Sequence, residues 1–202
     1  MIRIPKVETR DDVICVDNLL TVLEKKYGYE PNTIYLMAAI ESAKGVLNAY
    51  SIATCCSRMI GMALSAADYC EDLKVIRTKE SKELDWARGM LLNSARAAGV
   101  FVMDTSFTFM DPEAHRKEAQ HAKELGFDGK TSFSLDGSGI DVINSVFTPS
   151  EEEIEYARKI VALEEEYLES GGASAMIGDV FLDKPIVEQY RKLLRFVDEL
   201  KD

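Results

Sequence analysis

Two acidic residues stand where a folded chain often keeps its chemistry. Glu41 ends the apolar run Met37-Ala-Ala-Ile40, and Asp68 follows the run Met59 to Ser65 in Leu64-Ser-Ala-Ala-Asp68-Tyr69. If these runs are consecutive strands of a parallel sheet, they lie about 4.8 Å apart and both carboxylates meet at the carboxyl ends of the strands. Left unpaired, the two would repel. A hard divalent cation removes the repulsion, because Mg2+ takes oxygen ligands, often only one or two carboxylates, and leaves its other positions to water and substrate. On spacing alone the balance favours a plainer arrangement, with Glu41 in a surface salt bridge and Asp68 capping a turn, since acids after strands are common helix caps.

The remaining candidates read mostly as structural. Asp104 ends Val100-Phe-Val-Met-Asp104 beside Thr105 and Ser106, where a hydrogen-bonding role is expected, and Asp183 in Leu182-Asp-Lys-Pro185 has the position of a helix N-cap. Arg88 and Arg96 fall on a helical stretch from Glu80 to Ala98 and read as solvated face residues. His115 and His121 share one helical stretch but point to different faces, which disfavours a two-histidine metal site. Cys15, Cys55, Cys56 and Cys70 lack the paired spacing of a zinc site and lie in apolar segments, so reduced, buried thiols are expected. Gly45 and Gly61 read as backbone accommodations, and no P-loop or GxGxxG pattern follows any strand, which disfavours nucleotide binding by those routes.

The elements that must position these residues alternate along the chain. Strand-like runs are Ile2 to Val7, Thr33 to Ile40, Met59 to Ser65, Val100 to Asp104 and Lys130 to Leu135. Between them lie helices with specific punctuation: a capping box at Thr9 to Asp12, a helix from Glu80 stopped by Gly99, Asp111-Pro112 opening a helix ended by Gly126, and a second capping box at Ser150 to Glu153 opening a helix to about Leu168. Near-continuous apolar strands separated by helices predict an α/β fold of about five parallel βα units. Such units close into a barrel or wind into an open sheet, and both put functional groups at the carboxyl ends of the strands. After Gly171-Gly172 the pattern changes to a short hairpin around Gly178-Asp179 and a final amphipathic helix, so residues 1–170 are expected to form the βα units and 171–202 an appendage.

Composition sets outer limits on function. A length of 202 residues with 47% hydrophobic side chains supports one well-buried core. The net charge of −11, with 35 acids against 24 bases, argues against a nucleic-acid partner. No run of about 18 apolar residues suggests a membrane span, and the start MIRIPKVETRDD lacks the apolar core of a signal peptide, so a cytoplasmic location is expected.

Taken in order, IPKVETRDDV at 4–13, AAIESAKGVLNA at 38–49, ALSAADYCEDL at 63–73, ARAAGVFVMD at 95–104, GFDGK at 126–130 and VFTPSEEEIEYARKIV at 146–161 resemble the citrate lyase beta subunit and its citramalyl- and malyl-CoA lyase relatives. The resemblance implies a (β/α)8, or TIM-type, barrel of which this chain covers family strands 4–8, usually trimeric, and Mg2+-dependent cleavage of a carbon–carbon bond beside a thioester. For citrate lyase beta subunits that is a citryl thioester on coenzyme A or an acyl carrier protein, giving oxaloacetate and an acetyl thioester. It implies that Glu41 and Asp68 bind the metal, Glu41 also meeting substrate, and that Asp183, matching an aspartate near the family's C-terminus, acts as acid or base in a neighbouring subunit's site. The 171–202 appendage is then expected to pack on that subunit, in a homo-oligomer or a citrate lyase complex.

Two departures accompany the resemblance. The family's arginine-bearing R-x-N strand and its L-E-D segment, which precede the fourth strand, have no counterpart here, and a complete barrel typically runs to about 250 residues. The family's H-P-x-Q or N-P-x-Q loop is replaced by Ser134-Leu-Asp-Gly-Ser-Gly139. Besides a lyase, the pattern therefore admits a truncated or degenerate relative acting as an inactive oligomeric scaffold, and a related Mg2+-dependent aldolase acting on a free keto acid.

Overall fold

The computed structural model describes residues 1–133, 136–169, 175–177 and 180–200. Two compact units divide the chain, Met1–Phe147 and Thr148–Asp202.

The first unit is a five-stranded sheet wrapped by helices. Its strands are β1 (Ile2–Ile4), β2 (Leu36–Ile40), β3 (Met59–Leu64), β4 (Phe101–Asp104) and β5 (Gly129–Lys130), paired in chain order and parallel throughout. Sequential order without a reversal is the winding of a barrel rather than of a doubly wound sheet. Every residue of β2 is buried, as expected for an interior strand covered on both faces. Between the strands run α1 (Arg10–Tyr27), the short α2 (Ala43–Leu47) and α3 (Ala49–Ala53), α4 (Ala66–Asp72), α5 (Asp85–Ala98), α6 (Pro112–Leu125) and α7 (Ser138–Phe147).

Local chemistry sets the helix ends. Asp12 Oδ2 accepts from Thr9 N at 2.8 Å, completing the box that opens α1. Asp111 Oδ1 accepts from Ala114 N at 3.1 Å ahead of the proline that starts α6. Gly99 ends α5 at φ 70°, a left-handed conformation that costs glycine little. The stretch expected as one helix from Glu80 begins instead with a 3-10 turn at Lys82–Leu84, because Ser81 sits at φ 57° and breaks the helical path.

The core joins Leu36, Ile40, Met62, Leu64, Leu91 and Val102, all fully buried, each contributing roughly 1.5–3 kcal/mol by removal from water. The buried Arg58 fastens α1 beneath the sheet: its guanidinium meets Glu24 at 2.6 and 2.7 Å and Asp17 at 2.7 Å. Hydrogen bonds from Arg58 outweigh desolvation and hold the Glu24 carboxyl down at about 2.

In the second unit α8 (Glu151–Glu169) packs on α9 (Lys184–Glu199) through buried Ile160 and Val187, with Tyr156 edge-on to Tyr190 at 5.7 Å. Ser150 and Glu153 bond reciprocally at the start of α8, at 2.8 and 3.1 Å. An antiparallel pair, β6 (Ala175–Ile177) and β7 (Val180–Leu182), precedes α9; the turn expected at Gly178-Asp179 lies outside the described residues, as do Gly171-Gly172 and positions 134 and 135 of the altered loop. Among the described residues no helix is long and apolar enough to cross a membrane.

Candidate metal centre and its surroundings

β2 pairs with β3 in register Ile40 to Leu64, so Glu41 and the turn leading to Asp68 leave the sheet side by side. Ser42 caps α2: its Oγ accepts from Gly45 N at 3.1 Å and donates to Glu8 Oε1 at 2.9 Å. That tight turn fixes Glu41, half-buried, at the exit of the strand. Gly45 is required there, since a Cβ would stand 2.7 Å from the Val7 carbonyl oxygen. Asp68 lies in the first turn of α4, with its side chain 39% exposed. The start of α4 is held by Ala66 N, which donates to Thr105 Oγ1 at 2.9 Å, and by Arg3, which donates to Ser65 Oγ at 3.2 Å.

A cation already faces these acids. Lys6 follows β1, and its Nζ lies 2.5 Å from Asp68 Oδ1. The hydrogen bond and charge of Asp68 raise the Lys6 pKa above the usual lysine value against a small opposing effect of burial, and Glu41 and Glu71 add in the same sense. Glu41 therefore lies within electrostatic reach of the ammonium that Asp68 holds. The donor set, two carboxylates open to water, fits Mg2+, which needs few protein oxygens. Among the described residues no three histidine, cysteine or acidic groups cluster as a fuller metal cage.

Asp104 does not join them. It is fully buried at the end of β4, where Arg88 Nε and Nη2 each donate to it at 2.9 Å and Lys130, opposite it on β5, at 2.9 Å. Glu118 of α6 closes the cluster, 3.0 Å from Arg88 Nη2 and 2.8 Å from Lys130 Nζ, with Arg77 and Ser81 also donating to it. Burial pushes the Asp104 carboxyl up, but the Lys130 and Arg88 charges outweigh it and leave the pKa below its ordinary value. Glu118 behaves alike, with Lys130, Ser81 and Arg77 overcoming burial. The expectation of a hydrogen-bonding role for Asp104 holds. That of a solvated Arg88 does not: the residue is wholly buried, because it lies on the inner stripe of α5 with Leu84, Ala87, Leu91 and Ala95. Its spacing of four from Leu84 and three from Leu91 was the available signal. Arg96 does lie at the surface, paired with Asp128 at 2.8 Å.

Beside the cluster, the segments after β4 and β5 enclose a cleft of about 590 Å3, walled by Phe107, Phe109, Met110, His115, Phe133 and Val142. His115 stacks on Phe107 at 5.2 Å, and burial, helped by the Lys130 charge, lowers its pKa. His121 is half-buried on another face of the same helix. The thiols divide: Cys70 is buried, Cys55 and Cys56 are half-buried, and Cys15 is exposed, contrary to the expectation of four buried thiols. Asp183 caps α9, accepting from Ile186 N at 3.1 Å.

Parallel βα units wound in sequence, with acids following adjacent strands, define a barrel-type α/β protein. The chain belongs to the HpcH/HpaI aldolase/citrate lyase family, whose sequence pattern matches residues 1–134. It is 39% identical over 199 residues to the citrate lyase subunit beta of Leuconostoc mesenteroides subsp. cremoris, covering 98% of this chain and 65% of that protein. It spans just under two thirds of the curated relatives it matches, 65% and 64% of the first two. Its fold matches a citrate lyase from Burkholderia xenovorans LB400 with a TM-score of 0.84 at 15% identity, over 98% of this chain and 63% of that one. It also matches the Mycobacterium tuberculosis citrate lyase beta subunit complexed with oxaloacetate and magnesium, with a TM-score of 0.59 at 24% identity, over 73% of this chain and 60% of that one.

Proposed function

We propose that this chain works as a cytoplasmic Mg2+-dependent carbon–carbon lyase of the citrate lyase beta type, cleaving a citryl thioester to oxaloacetate and an acetyl thioester. The observation that carries this reading is the placement of Glu41 at the exit of β2 and of Asp68 in the first turn after the neighbouring β3, with Lys6 on Asp68 and within reach of the Glu41 charge. Bound Mg2+ would supply Lewis acidity at the hydroxy-acid end of the substrate. Glu41 and Asp68 would hold it, and Glu41 would also orient that end. The bond between the carbinol carbon and the thioester α-carbon breaks, the hydroxyl gives up its proton and becomes the keto group of oxaloacetate, and the electron pair left on the α-carbon takes up a proton, so the cleavage is proton-neutral overall. Asp183 is assigned that proton transfer, reaching the site of a neighbouring copy in a homo-oligomer, a trimer by family resemblance, or in a citrate lyase complex. The carrier is coenzyme A or an acyl carrier protein. The nearby aromatic cleft, of the size and character of ligand pockets, suits the neutral arm next to the thioester.

The test is oxaloacetate release from citryl-CoA with Mg2+, using Glu41→Ala and Asp68→Ala as controls. Release is expected from the unaltered protein and from neither variant. Folded protein that releases none would overturn the proposal.

A further inference from the structure

We infer that Lys6 is the resident counter-cation of the Glu41–Asp68 pair: Mg2+ enters by displacing its ammonium from Asp68, and the freed ammonium then pairs with a carboxylate of the substrate. The inference rests on the lyase reading and adds to it the cation that grips the substrate.

Strand order places Lys6 in this role. Lys6 follows β1 and Asp68 follows β3, with β2 between them, a separation of about two strand spacings or roughly 10 Å at the sheet. To touch Asp68, the Lys6 side chain must cross the end of β2, where Glu41 stands. With its ammonium on Asp68 Oδ1, it holds a ligand position that a metal using both acids would need. Two cations cannot share that position, so metal entry and the Lys6–Asp68 contact exclude one another.

The lysine is built to be displaced rather than locked. Its side chain is 71% exposed, so turning away to solvent or substrate leaves no buried charge behind. Its backbone is aimed by φ 51°, a left-handed conformation that few non-glycine residues adopt. The segment that carries it is anchored two residues later, where Glu8 binds Ser42 at 2.9 Å and Lys44 at 3.1 Å, and the Glu8 carbonyl accepts from Asn48 at 2.9 Å. Once Mg2+ neutralises the two acids, Lys6 is a fixed positive charge at the rim of a site whose proposed substrate is a polycarboxylate. Arg3 and Lys44 are further cations at this end of the sheet, Arg3 bonded to the Ser65 hydroxyl and Lys44 paired with Glu8.

Calorimetric titration of the unaltered protein, Lys6→Met, Arg3→Met and Glu41→Gln with MgCl2, then with oxaloacetate at saturating Mg2+, tests this, with circular dichroism as the check on folding. Lys6→Met is expected to bind Mg2+ about three- to tenfold more tightly, since a competing cation is gone, and oxaloacetate several-fold more weakly. Arg3→Met is expected to stay within about twofold of the unaltered protein for Mg2+. If Lys6→Met binds Mg2+ no more tightly, or oxaloacetate equally well, or if Arg3→Met reproduces the Mg2+ effect, the assignment of Lys6 is overturned while a Glu41-dependent metal site stands. If the unaltered protein binds no Mg2+, both this inference and the lyase reading fall.

Discussion

Replacing Arg88 by methionine isolates the energetic role of the buried charge cluster. The guanidinium makes two 2.9 Å bonds to Asp104 and one of 3.0 Å to Glu118, at zero exposure. Methionine keeps much of the volume but leaves two buried carboxylates with less positive charge than they need. Removing one partner of a buried pair costs about 3–5 kcal/mol, a large share of the roughly 5–15 kcal/mol that keeps a protein folded. For a chain of this length each kcal/mol moves the midpoint by about 2–4 °C, so Arg88→Met should melt about 6–20 °C lower by circular dichroism. Arg96→Met, which loses the exposed pair with Asp128 and an exposed bond to the Gly126 carbonyl, should cost about 0–1 kcal/mol and move the midpoint by less than about 4 °C. In Arg88→Met with Asp104→Leu, which removes both charges, part of the loss should return. An Arg88→Met midpoint no lower than that of Arg96→Met would refute the reasoning.

Acid should weaken the fold in a defined window. The carboxyls of Asp104, Glu118 and Glu24 titrate below their ordinary values when folded, Glu24 at about 2 against 4.5, so below about pH 4.5 the unfolded chain binds more protons and stability falls toward pH 2. A guanidinium midpoint at pH 3 as high as at pH 7 would contradict this. The thiols should react in order of exposure: at pH 8 iodoacetamide should label Cys15 first, Cys55, its pKa pushed up to about 12 by burial and Cys56, only slowly, and buried Cys70 only on unfolding. Peptide mapping that finds Cys70 labelled as fast as Cys15 would count against the described packing.

What was legible in the sequence was whatever has a local cause. Thr9 with Asp12, Asp111 with Pro112, and Ser150 with Glu153 each announce a helix through bonds made within four residues, and each does so in the structure. The interior strands β2, β3 and β4 were visible because parallel interior strands are apolar nearly throughout, whereas the fifth, expected from Lys130 to Leu135, is only Gly129–Lys130, an edge strand with little apolar signal. Less legible were α2, α3 and α4, at five to seven residues too short for a helical period to show, and α7. The start of α7 is set by Asp136 accepting from Ser138 N at 3.1 Å, in a segment whose composition reads as loop. Glu41 was legible as a strand-end acid because it follows β2 directly, and Asp68 because it falls in the first helical turn after β3. Arg88 and Glu118 could not be placed by type, since a charge reads as solvated until its partners, 16 and 30 residues from Arg88, are known.

The sequential order of the strands has a bearing on how this protein can diversify. Each βα unit delivers its own short segment to the common end of the sheet: Lys6 after β1, Glu41 after β2, Asp68 after β3, Phe107 after β4 and Phe133 after β5. No unit threads through another, so a segment can lengthen or change its chemistry while the strands that hold its neighbours stay in register. The segment after β5 can therefore change without shifting Glu41 or Asp68, which follow other strands. The same modularity makes the β4 and β5 segments natural places to graft a new specificity beside an unchanged pair of acids.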